Sequence, residues 1–131
     1  MSSDSPAPTN SKWMLWGGYA MSALPSLMLF FSAGMKLAKP APLIEGFAKM
    51  GYPEHLALGI GVVELISTIL YLIPRTSVLG AILLTGYLGG ATATHVRLSE
   101  PFIGPVVFGV LIWGGLYLRD ARIRALIPLK G

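Results

Sequence analysis

Cysteine is absent from the 131-residue chain. That excludes a structural disulfide, a thiol redox centre, a thiolate zinc site and an iron–sulfur cluster held by this chain alone. Any redox role therefore needs a borrowed electron carrier. Charge is scarce as well: 12% of the residues are Asp, Glu, Lys or Arg, against about 25% in an ordinary soluble domain. The only aspartates, Asp4 and Asp120, lie outside the apolar runs. Neither a nucleotide-binding glycine loop nor metal-ligand spacing is present, so no metal site and no stand-alone catalysis are expected. The net charge of +4 comes from Lys and Arg between and after the apolar runs. That placement suits anionic lipid head groups and gives no stripe for nucleic acid.

What is present in excess is apolar, at 53% of the chain. Four apolar runs, about 13–35, 56–73, 78–96 and 102–118, are each near the roughly 20 residues that cross a bilayer. The expected fold is all-α: an integral membrane antiparallel four-helix bundle, one domain over residues 12–131. Residues 1–11 are small, polar and Pro-containing and are expected to be a disordered tail. Trp13, Trp16 and Tyr19 anchor the start of the first span, Lys36 and Lys39 close it, and Pro25 is placed to kink it.

Between the first two spans, Leu43, Phe47 and Met50 share one helical face. Glu45 and Lys49 pair at i,i+4, Pro42 suits the first turn and Gly51 the stop. A short interfacial helix lying on the membrane is expected there. Pro74 and Arg75 end the second span in so tight a turn that the third must run antiparallel to it. Four spans place both termini on one side. Lys12, Arg75, Arg119, Arg122, Arg124 and Lys130 fall on that side, against Lys36, Lys39, Lys49 and Arg97 opposite. Six against four favours cytoplasmic termini.

Glu64 is the one charge inside the second run. A carboxylate at membrane depth is costly, so it is expected to face the bundle interior, where a partner or its own proton neutralises it. Counting from the shared turn, Glu64 lies nine before Ile73 and Tyr87 nine after Val78, which sets them level. Ser22, Ser26, Ala33 and Lys36 trace a polar or small stripe on the first span, and Thr68 and Tyr71 follow Glu64 by one and two turns. These residues together suggest a polar pocket with Lys36, His55, His95 and Arg97 at its mouth. Glu64, Lys36, Tyr87, His95 and Arg97 are thus the candidate ligand or proton site. A cationic mouth over an acid suits an anionic or quinone-like ligand. Lys36 and Arg97 equally fit the plain role of interfacial anchors, and the terminal positions of His55 and His95 argue against paired haem ligation. Gly86 and Gly90 form a GxxxG pair expected to serve helix packing.

The segments FFSAGMKL (Phe30 to Leu37), GYP (Gly51 to Pro53), GIGVVEL (Gly59 to Leu65) and LGAILLTGYLGGATATHVR (Leu79 to Arg97) resemble the DoxX-like family of small four-helix membrane proteins. In that pattern Lys36, Glu64 and His95 match the Lys after the first span, the Glu within the second and the His closing the third. The resemblance implies a bundle in the bacterial cytoplasmic membrane and a quinone-linked oxidoreductase subunit, with redox-associated membrane proteins and assembly factors among its relatives. The missing cysteines speak against a thiol relay here. Three functions are therefore weighed. The first is a non-catalytic subunit or module binding a quinone-like or lipid-like molecule, with no covalent cofactor, beside an oxidoreductase partner subunit. The second is a small proton-coupled transporter, which four spans would have to complete as a homo-oligomer. The third is a membrane assembly factor or chaperone.

Overall fold

The structure, a computed structural model, describes residues 11–129; the expected N-terminal tail lies, but for Ser11, outside the described residues. Helix α1 (Lys12–Ala38) begins where the Ser11 hydroxyl accepts from the Met14 N–H, and it continues through Pro25 without a break. It stops at Lys39, whose left-handed backbone (φ 53°) turns its N–H back to the Met35 carbonyl. Helix α2 (Ala41–Met50) has proline in its first turn and ends at Gly51. That glycine takes φ 79°, a conformation most side chains resist.

Helix α3 (Leu56–Leu72) is followed by a single 3-10 turn at Pro74–Thr76 and then by α4 (Ser77–Arg97). The Thr76 hydroxyl donates to the Leu70 carbonyl and that of Ser77 to the Pro74 carbonyl, so the tight turn satisfies polar backbone left over by the helix end. Helix α5 (Ile103–Arg119) precedes the one-turn α6 (Ala121–Arg124), capped by the Asp120 carboxylate accepting from the Arg122 N–H. The expected interfacial segment and the four apolar runs are therefore all helical, with ends within a few residues of those read from the sequence.

Four helices close a ring in which α1 and α4 each pack against both α3 and α5. Glycines permit the closest approaches. A Cβ built on Gly80 lies 2.2 Å from the Tyr71 nitrogen, one on Gly18 lies 2.8 Å from the Arg119 nitrogen, and one on Gly115 lies 2.3 Å from the Ser22 hydroxyl. Leu29, Tyr71, Leu84, Leu88, Ile112 and Leu116 fill the space so enclosed.

The distribution of polarity is inverted relative to a water-soluble bundle. Ser22, Ser26, Glu64, Ser67 and Thr68 are buried, whereas Leu27, Phe31, Ile82 and Val110 stand more than half exposed. Hydroxyls on the buried or half-buried Ser22, Ser67, Thr68, Thr92 and Thr94 each donate to the carbonyl one turn back. Hydrogen bonds made within the helix let such groups sit away from water. Among the described residues, two apolar helical runs are long enough to cross a membrane, Lys12–Ala38 and Pro74–Arg97. Helices α3 and α5 have 17 residues each, about 25 Å at 1.5 Å per residue, at the lower end of what spans a hydrocarbon core.

Candidate ligand-binding site

The site begins at the last two turns of α1, where Ser32 and Lys36 lie four apart and so share a face. On α3 the facing residues are Gly61 and Glu64. A Cβ on Gly61 would come within 2.9 Å of the Lys36 Cβ and 3.3 Å of the Ala33 carbonyl, so the bare glycine is what lets the two helices meet here. One turn further, Glu64 is fully buried. Its Oε1 accepts from the Lys36 ammonium at 3.0 Å and from the Ser32 hydroxyl at 3.2 Å. Lys36 also donates to the Ser32 oxygen at 2.6 Å, which closes a triangle of three side chains. The Tyr87 ring from α4 stands over the ammonium, 5.6 Å from Nζ to the ring centroid.

Above this triangle opens a cavity of about 580 Å³, within the size range of small-molecule sites. Ser32 and Lys36 form one side, Ile60 of α3 another, and Gly86, Tyr87, Gly90, Ala91, Thr94 and His95 of α4 a third. Leu43, Gly46, Phe47 and Met50 of α2, with Tyr52 beyond it, supply an apolar wall. That wall is tied down at its end: the Tyr52 hydroxyl meets that of Thr94 at 2.8 Å, its ring stands edge-on to Phe47, and the Arg97 guanidinium donates to the Met50 carbonyl. His95 donates from Nδ1 to the Ala91 carbonyl at 2.6 Å, which directs the acceptor and donor choice to Nε2.

The structure brings Lys36, Glu64, Tyr87 and His95 to one place. Arg97 is not on the cavity wall; it is exposed and caps the end of α2 through the Met50 carbonyl. His55 is exposed at the start of α3. Gly86 and Gly90 differ from expectation too. A Cβ on either meets nothing within 4 Å, so within the chain they do not pack helices; they widen the cavity by presenting no side chain.

The polar stripe on α1 also divides. Ser22 joins a separate network in which Tyr71 donates to the Ile112 carbonyl at 2.6 Å and meets the Ser22 hydroxyl at 2.9 Å. Arg119, counted in the sequence among the cations on the side of the termini, is buried there, with its guanidinium 4.5 Å from the Tyr71 ring centroid and 5.1 Å from that of Tyr19. Three polar residues of the site were missed in the sequence, Ser32, Tyr52 and Thr94. The signal for Ser32 was available: it precedes Lys36 by one helical turn.

The family model for the DoxX-like family matches residues 20–115, from a third of the way along α1 to near the end of α5. The chain belongs to the DoxX-like family. No curated protein and no solved structure matches it. Membership in the DoxX-like family, taken with the two long apolar helical runs, points to a membrane protein. The segment matched includes every member of the Lys36, Glu64, Ser32 and Tyr87 cluster.

Proposed function

We propose that this DoxX-like protein is a non-catalytic membrane module that holds a lipid-like or quinone-like molecule in the cavity beside α2 and works with a membrane oxidoreductase. In this reading all four bundle helices cross the bacterial cytoplasmic membrane with both termini in the cytoplasm. The apolar outer faces of α1, α4 and α5 meet acyl chains. The observation that carries the reading is a cavity of about 580 Å³ with largely apolar walls and a buried ion pair at one side. An amphiphile places its tail against Leu43, Phe47, Met50 and Ile60 and its polar end against Lys36, Tyr87 and His95. Few convergent polar groups in an apolar concavity are the usual means of orienting such a ligand.

Native mass spectrometry in mild detergent tests this directly. Wild type is expected to carry a bound small molecule, with a partner subunit retained under the gentlest conditions. Gly90→Leu projects four carbons into open space on the cavity wall, so it should fold normally and lose the small molecule. Bare wild type, or a Gly90→Leu variant that keeps its ligand, sinks the reading.

A further inference from the structure

We propose that Glu64 sets the charge selectivity of this cavity: by compensating Lys36 from behind, it makes the site accept uncharged amphiphiles bearing a hydrogen-bond acceptor and reject anionic ones. The proposal rests on the ligand-binding reading above. It also reverses the anionic preference that a lysine at a pocket mouth suggests when the sequence is taken alone.

The Lys36 ammonium carries three protons. One goes to Glu64 Oε1 and one to the Ser32 oxygen. The Lys36 side chain lines the cavity and keeps 12% of its exposure, with the Tyr87 side chain hydrogen-bonded beside it, so the donors offered at the wall are those of the Lys36–Tyr87 pair. Glu64 itself is out of reach. Its side chain is 1% exposed, it does not line the cavity, and its Oε2 is buried with no hydrogen-bond partner among the described residues. A ligand therefore touches the cation while the anion acts through it.

Among the described residues no other Asp, Glu, Lys or Arg lines the cavity, so the formal charge presented by Lys36 and Glu64 together is zero. A carboxylate or phosphate entering the cavity loses its water and meets no uncompensated positive charge, which leaves its desolvation unrepaid. A ketone, quinone or ester carbonyl has far less hydration to lose and accepts a hydrogen bond from the Lys36–Tyr87 pair. Head groups of two sources share this chemistry, a quinone ring and a neutral acylglycerol.

The test uses full-length protein in nanodiscs at about pH 8. Three probes are titrated: a decyl-substituted benzoquinone, monoolein and oleate. In wild type at least one neutral probe is expected to bind about tenfold or more tighter than oleate, a difference of about 1.4 kcal/mol. Which neutral probe wins identifies the source. Glu64→Gln keeps the shape and leaves Lys36 uncompensated, so oleate should gain about tenfold while the neutral probes change little. Lys36→Gln combined with Glu64→Gln should remove that gain. If oleate binds wild type as well as the better neutral probe, or if Glu64→Gln leaves the ranking unchanged, the proposal is overturned while the pocket stands. If none of the three binds, the pocket reading fails and takes the proposal with it. Should Glu64→Gln not fold, the wild-type ranking decides by itself.

Discussion

At the scale of single residues, the Lys36–Glu64 contact is a buried ion pair, and such pairs are unequal in what they add and what their disruption costs. Removing one member strands the other, at a cost of about 3 kcal/mol or more, whereas replacing both with neutral groups of similar size costs far less. Lys36→Met is accordingly expected to lower the unfolding midpoint in detergent markedly, and Lys36→Met with Glu64→Met to recover most of the loss. A double variant that loses the sum of the two single-variant losses would show that the pair contributes no coupling.

Both residues were legible in the sequence, one as a lone charge in an apolar run and the other as the cation ending a span, but their partnership was not. Depth counting works across the short Pro74 turn, and it placed Tyr87 correctly beside Glu64. It fails between α1 and α3, because the α2 detour leaves their register to packing at Gly61. Arg119 was misread for a related reason. A cation at a span end looks like a surface anchor until two tyrosines, 52 residues apart in sequence (Tyr19 and Tyr71), are found to close over it.

At the scale of helices, the glycines separate into two kinds that the sequence presents alike. Gly18, Gly61, Gly80 and Gly115 are pressed against a neighbouring helix, and Gly86 and Gly90 face open space. Only the fold distinguishes them, since both kinds sit at ordinary small-residue spacing. Gly80→Ala forces its new carbon onto the Tyr71 backbone, which cannot move aside as a flexible side chain would, so the α3–α4 hairpin must open. A loss of about 2 kcal/mol or more is expected. Gly86→Ala adds a methyl group to open space and improves helix propensity by up to about 1 kcal/mol. Thermal unfolding of the two variants side by side checks the assignment, with opposite signs expected. The helices themselves were largely legible, because Pro42, Gly51 and Pro74 mark their ends with groups that can do little else.

At the scale of the whole molecule, the unequal helix lengths matter. α1 has 27 residues and α3 has 17, about 40 Å and about 25 Å. A bilayer near 30 Å thick leaves α3 and α5 short, and each ångström of mismatch costs a fraction of a kcal/mol. In bilayers of 14-carbon phosphatidylcholine the protein is expected to unfold at a higher temperature than in those of 18-carbon chains. The reverse order, or stable extraction into detergent-free buffer, would contradict a membrane-crossing bundle.

The interior hydroxyls that turn back onto their own helices bear on what the bundle can carry. Those of Ser67, Thr68 and Thr92 each donate to a carbonyl one turn away, so they have lone pairs to lend but no hydrogen to pass along. A relay of the Grotthuss kind needs members that take a hydrogen on one side and release one on the other. For all its serine and threonine, the centre of this protein is therefore poorly wired for conduction and better suited to keeping a guest still.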